Sequence, residues 1–265
     1  MISPDPQPAR DPYDLLPPAA LPKLPGEVKV EGSLEGLVET LCSDLLTHSL
    51  NCVRQFGDFH LAVTARRALE PVFTNLLIDP ICRGIPWKKT HLWITDEHAE
   101  EADNADSAWA LLSEYFGEHA GIPRAQQHRI EGVGERAATA YERELKAALE
   151  WRERGQDRLD CVVLAPEEKG CVAGIVPGSP DVRENTRLVA AVRSSALRDI
   201  PDRVTMTLPL INSARLVGIF VPEANQKEII GSVGAAQESV DRAPLRGIRP
   251  AGGIQVWYVA REACE

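Results

Sequence analysis

Two spacings of apolar residues alternate along this chain, and together they predict alternating helices and strands. From Ser33 on, Leu34, Leu37, Val38, Leu41, Leu45 and His48 fall three or four residues apart, which lines one helix face, and Ser33 stands where an N-cap belongs. Short continuous apolar runs predict buried strands at 59–64, 90–95 and 159–164, with helices over 69–77, 107–116 and 135–154 between them. In the last of these helices Tyr141, Leu145, Ala148 and Leu149 face inward and the remaining surface is charged. Further strands are predicted at 187–192, 203–208, 215–221 and 254–259, with short helical pieces such as 223–230 among them. Strands that alternate with helices build right-handed crossover units. The expected fold class is therefore α/β, a doubly wound and mainly parallel sheet flanked by helices. No repeat or break in composition divides the body, so residues 28–265 are expected to form one domain. Residues 1–27 differ. They hold Pro4, Pro6, Pro8, Pro12, Pro17, Pro18, Pro22 and Pro25, a density that helices and central strands do not absorb, and they predict an extended N-terminal arm.

Composition narrows the partners. With 265 residues, 44% of them hydrophobic, the chain can bury a sizeable core. Its formal net charge of -10 lacks the basic footprint that phosphate backbones require, so nucleic acid is not expected. A small phosphorylated or carboxylated ligand needs only a few local cations. No run of ~18 apolar residues predicts a membrane span, and no basic-then-apolar start predicts a secretory signal. The six cysteines, Cys42, Cys52, Cys82, Cys161, Cys171 and Cys264, are scattered, with no Cys-x-x-Cys pair and no histidine at zinc spacing. They read as reduced thiols of a cytoplasmic protein. Asp103-Asn104-Ala105-Asp106 lacks the rest of a calcium loop. No metal and no cofactor are expected, and no protein partner is specified.

Open α/β sheets bind ligands at the carboxyl ends of their strands. Four segments are predicted to lie there: Thr64-Ala65-Arg66-Arg67, Thr95-Asp96-Glu97-His98, residues 166–173, and the stretch around Arg203 and Thr205. In this order they resemble the 6-phosphogluconolactonase family and its relatives, the amino-sugar-phosphate isomerases, over residues 33–263. The strongest piece keeps Asp160, Leu164, Gly170, Ala173, Ile175, Pro177 and Gly178 in register with the family's aspartate, strand and Asp-Gly-His-Thr-Ala-Ser-Leu-Phe-Pro-Gly turn. Arg203-Val204-Thr205-Met206-Thr207-Leu208 resembles the family's Arg-Ile-Thr-Leu-Thr strand, and Asn212-Ser213-Ala214 continues it. Lys227 falls where the family carries a ligand-binding lysine, and Ile248-Arg249-Pro250 and Trp257-Tyr258-Val259 resemble its closing strand. The resemblance implies a Rossmann-type isomerase/lactonase fold and a small anionic sugar-phosphate ligand.

The departures from the family pattern bear on activity. Cys171 occupies the position of the catalytic histidine, and a thiol titrates near ~8.5 where a base for water should titrate near neutrality. Lys169 replaces an aspartate, and Ala65-Arg66-Arg67 replaces a glycine-rich loop whose bare amides receive an anion. The family's Asp-Glu-Arg becomes Asp96-Glu97-His98, and its Ser-Asn pair becomes Ser107-Ala108. Each residue carries two readings. Cys171 is either a nucleophile lowered by Lys169 and by the amides of a following helix, or an inert thiol. Asp96 and Glu97 either order water beside His98 or form a retained turn, with Asp96 capping amides. Arg66 and Arg67 either bind an anion or fill the vacated pocket against Glu167, Glu168 or Asp96. Arg203 and Lys227 either survive as anion contacts or form structural ion pairs. The expectation is a 6-phosphogluconolactonase-like protein, catalytically impaired or inactive, with a remnant anion pocket. The alternative is a working hydrolase of sugar-phosphate lactones in the pentose phosphate pathway.

Overall fold

A computed structural model describes residues 21–98, 107–117, 119–167, 170–193, 201–235 and 238–264. The proline-rich segment before residue 21, Lys169 and the Asp103–Asp106 stretch lie outside the described residues.

The core is a seven-stranded sheet with strand order β1-β10-β9-β6-β2-β3-β5. Its strands are β1 (Glu27–Glu31), β2 (Phe59–Val63), β3 (Thr90–Ile94), β5 (Gln127–His128), β6 (Cys161–Leu164), β9 (Leu216–Val221) and β10 (Ile254–Ala260). Every pairing in it is parallel. Helices cover both faces, so β2, β6 and β9 are buried at every position and read as unbroken apolar runs rather than alternating ones. The flanking helices are α1 (Leu34–Phe56), α2 (Glu70–Ile78), α3 (Ala108–Phe116), α4 (Glu135–Leu149), α5 (Leu208–Ser213), α6 (Lys227–Gly234) and α7 (Arg261–Cys264).

Local chemistry sets the helix limits. Ser33 Oγ accepts from the Gly36 amide at 3.1 Å, and α1 closes on Gly57, whose φ of 92° lets its amide reach the Val53 carbonyl. Leu37, Val38, Leu41 and Leu45 are buried as the spacing predicts, whereas Leu34, the first residue of α1, is 46% exposed. Tyr141 of α4 reaches the main chain of β3: its hydroxyl donates to the Ile94 carbonyl at 2.9 Å and accepts from the Ile94 amide at 3.0 Å.

Three features depart from the pattern-based expectation. The edge strands β1 and β5 were not foreseen. Helix α4 ends at Leu149, five residues early. Most consequentially, β7 (Val189–Val192) and β8 (Arg203–Met206) do not join the parallel sheet but form a small antiparallel sheet with β4 (Asp96–Glu97), in the order β4-β8-β7. Asp96 pairs with Thr205 and Glu97 with Val204. Apolar runs announce strands but not their partners, and this pairing carries Arg203 to the ends of the parallel strands.

The opposite, amino-terminal end of the sheet holds a buried polar network. Asp160 accepts from the His60 amide at 2.7 Å, from Arg152 at 2.8 and 3.0 Å and from Arg215 at 2.9 Å. Asp58, His60 and His91 gather potential metal ligands within 4.8 Å of one another. The chemistry does not fit an ion. The Trp93 indole N–H donates to His60 Nδ1 at 3.1 Å, which leaves the proton of the neutral ring on Nε2, facing Asp58 at 3.1 Å. The His60 and His91 rings are stacked 4.4 Å apart and 14° from parallel, so their in-plane lone pairs do not converge.

These rings predict an acid dependence. Burial, with His60 and His128 alongside, pushes His91 down to about 4. Burial also lowers His60, against the opposing pull of Asp58. With folded values below unfolded ones, the unfolded chain binds more protons, so this contribution is complete above the unfolded value of ~6.5 and is lost as pH falls toward 4. After allowance for solvent around a half-buried ring, His91 contributes about 1–2 kcal/mol of that loss. Denaturant unfolding at pH 7 and pH 5 should show a smaller difference in His91→Gln than in the parent chain; equal differences would count against it.

Candidate functional site

Four loops converge at the carboxyl ends of β9, β6, β2 and β3, which are neighbours in the sheet. The chain leaves β2 toward β3 on one side, while β6 is followed outward by β9 and β10 on the other, so the direction of winding reverses between β2 and β6. Crevices at such reversals are where doubly wound folds hold ligands. Arg66, just after β2, and Glu167, just after β6, face each other across this crevice.

Arg66 resolves the choice between lining and filling. Its Nη2 donates to Asp96 Oδ2 at 2.6 Å and to Glu167 Oε1 at 3.1 Å, and its Nη1 donates to the Ala65 carbonyl. The guanidinium is spent on internal carboxylates. Two of the loop amides are occupied, since Arg66 N–H bonds the Thr64 carbonyl at 3.1 Å and Leu69 N–H bonds the Arg66 carbonyl at 2.9 Å. Glu70 adds a negative charge to the first turn of α2. Arg66 and Arg67 both line the two cavities of the crevice, Arg66 with its Nη2 already given to Asp96 and Glu167.

Asp96 is fully buried. Burial pushes its carboxyl up, but Arg66 and Arg203 outweigh that and hold it below the ordinary carboxylate range. It is therefore an anion locked to cations, with no proton to give. It is not the amide cap expected from sequence; that work falls to Glu97. The Glu97 carboxylate accepts from the Ser107 hydroxyl at 2.7 Å and from the amides of Ala108 at 3.0 Å, Trp109 at 2.9 Å and His98 at 2.8 Å. It seals the start of α3, where a negative group is favoured, and lines neither cavity.

Cys171 is 8% exposed and faces the cavity. Its carbonyl accepts from the Glu167 amide at 2.9 Å, and a tight turn follows in which Val172 and Ile175 exchange backbone hydrogen bonds of 3.1 and 2.7 Å. No helix begins there, so the helix-end amides that were to lower its thiol are missing. Lys169, the other expected activator, lies outside the described residues. Inside the turn Gly174 has φ +73°, and a Cβ there would stand 3.0 Å from both the Asp96 side chain and Arg203 Cδ. Only a residue without a side chain lets the main chain pass so close.

Arg203 is 7% exposed and lines both cavities. Its Nη1 lies 3.7 Å from Asp96 and 4.0 Å from Glu167, beyond hydrogen-bond length, and its buried Nε has no partner. Lys227 opens α6, and its neighbours Gln226 and Glu228, rather than Lys227 itself, line the larger cavity. The cavities measure about 950 Å3 on the Cys171 side and about 670 Å3 on the His98 side. Sequence reasoning missed Arg242 and Gln226 as wall residues. Gln226 falls inside the predicted helical piece 223–230 and closes a 3-10 turn there, and Arg242 lies in a turn, so neither is part of a strand end where site residues were sought. A third hollow, about 720 Å3 between α1, α2 and α3, is lined by Leu34, Pro71, Ile78 and Tyr115 and lies outside the crevice.

A doubly wound sheet with an arginine-walled crevice at its winding reversal places this chain among α/β proteins whose ligand site lies at the carboxyl ends of the strands. Residues 32–257 match the model of the family described as glucosamine-6-phosphate isomerases/6-phosphogluconolactonase, and the chain belongs to that family. It is 28% identical over 237 residues to the GDH/6PGL endoplasmic bifunctional protein of Homo sapiens, covering 86% of this chain and 29% of that one. The chain thus spans under a third of that relative. It is 25% identical over 232 residues to the 6-phosphogluconolactonase of Synechocystis, covering 86% and 93% of the two. The solved 6-phosphogluconolactonase of Trypanosoma brucei superposes with a TM-score of 0.76 at 19% identity, covering 91% of this chain and 98% of that one, a likeness of fold.

Proposed function

We propose that this chain binds a phosphorylated sugar acid or its lactone in the crevice, and that lactone opening is not driven from position 171. The observation that carries the proposal is Arg203. Among the described residues the buried Nε of Arg203 has no hydrogen-bond partner, and the nearest carboxylates stand at 3.7 and 4.0 Å from Nη1, beyond hydrogen-bond length. A ligand oxyanion supplies the missing acceptor. Arg67 adds a second cation on the same wall, and Lys227 belongs to the rim through its neighbours. Cys171 presents a thiol where the family pattern has an imidazole, the commonest general base. Hydrolysis is therefore expected to run slower than in lactonases that keep that histidine.

The test is binding of 6-phosphogluconate, read by calorimetry and thermal shift. Arg203→Ala should weaken it about 10–100-fold, the worth of charge-assisted hydrogen bonds. Arg203→Lys, which keeps the charge but loses the fork, should fall between. Equal affinity in the parent chain and Arg203→Ala would sink the proposal.

A further inference from the structure

We infer that His98 is the proton-handling group of this site, so that lactone opening has moved from the Cys171 side of Arg66 to the chamber on its other side. The inference rests on the binding reading above. His98 lines the cavity of about 670 Å3 together with Arg66, Arg67, Glu167 and Arg203. Arg66, Arg67, Glu167 and Arg203 also wall the chamber that holds Cys171. A ligand anchored on Arg203 can thus face either chamber. One chamber presents a thiol and the other an imidazole, the side chain most often used to take and return a proton.

The surroundings of His98 suit that work. Its side chain is 32% exposed, so water and ligand can reach it. Its Nδ1 lies 3.8 Å from Glu97 Oε1, and that carboxylate is fixed by the Ser107 hydroxyl and by amides of α3. The carboxylate stands behind one imidazole nitrogen at 3.8 Å, longer than a hydrogen bond, and leaves the other nitrogen to the substrate. Catalytic contacts of this kind are often long before the ligand arrives. Glu97 is here a positioning residue.

The step balances as a hydrolysis. His98 Nε2 takes a proton from water as the water oxygen bonds to the lactone carbonyl carbon, and the carbonyl electron pair moves onto its oxygen beside the guanidiniums. When that pair returns, the bond from carbon to the ring oxygen breaks, and the ring oxygen takes the proton back from the imidazolium. The product is the open-chain acid, which releases its own proton to solvent.

The experiment measures opening of 6-phosphogluconolactone against the enzyme-free blank. The expected result is turnover above the blank in the parent chain and a 10²–10⁴-fold fall in kcat for His98→Gln and His98→Asn, the usual worth of a general base. KM and 6-phosphogluconate affinity should stay within about threefold, and free imidazole should restore part of the rate. No turnover above the blank in the parent chain overturns the inference. So does full turnover in both folded His98 variants, with or without loss in Cys171→Ser. In each such case Arg203-dependent binding of 6-phosphogluconate still stands or falls on its own measurement, so the two proposals fail separately.

Discussion

Asp160→Ala is expected to lower the unfolding free energy by about 3–5 kcal/mol, the usual cost of removing one side of a buried ion pair. Asp160 is fully buried and accepts four hydrogen bonds, three of them from the guanidiniums of Arg152 and Arg215 and one from the His60 amide. Without it Arg152, itself buried, keeps Asp58 and the Arg158 carbonyl, and Arg215 keeps the Gln156 carbonyl. The His60 amide, near the start of β2, loses its acceptor. Asp160→Asn retains the shape and one acceptor oxygen, so its cost should be clearly smaller. Denaturant melts with unchanged slope check this; a loss under about 1 kcal/mol for the alanine variant would show that water replaces the carboxylate freely.

Arg66→Ala is expected to cost about 2–4 kcal/mol at neutral pH, a range lowered from the fully buried case because Arg66 keeps some solvent contact. It strips Asp96 of its 2.6 Å partner and leaves Arg203 at 3.7 Å. Burial would then dominate and push the Asp96 carboxyl up. In the parent chain Asp96 is held low, so its contribution is present above the unfolded carboxylate value of ~3.9 and is lost as pH falls through the folded one. The gap between parent and variant should therefore narrow in acid. Adding Asp96→Asn to Arg66→Ala should recover part of the loss, since the orphaned charge is removed; a double-mutant cycle with no coupling would contradict the pairing.

Much of this architecture was legible as pattern. The helix start at Ser33 follows from capping chemistry, and β2, β3, β6, β9 and β10 from apolar runs too short for helices. What pattern omits is pairing. The two-residue β5 has no period to detect, and β7 and β8 carry the same apolar signature as parallel strands although they turn to meet Asp96 and Glu97. At the site the residue types were visible and their engagements were not. Arg66 suits an external anion or an internal carboxylate equally well on paper, and only its 2.6 and 3.1 Å contacts decide. Asp96 and Glu97 are adjacent and chemically alike, yet neighbouring strand residues point to opposite sides, one toward two guanidiniums and the other toward the start of α3.

Gly174 has a consequence for reversibility. Its main chain touches Asp96 and Arg203 where the family motif carries a serine, and any added carbon lands 3.0 Å from both. Reinstating the serine displaces the pair that Arg66 completes, and restoring histidine at 171 while Arg66 stays leaves the new ring beside a guanidinium instead of open amides. Position 174 is thus closed to any side chain for as long as Asp96 and Arg203 hold their places.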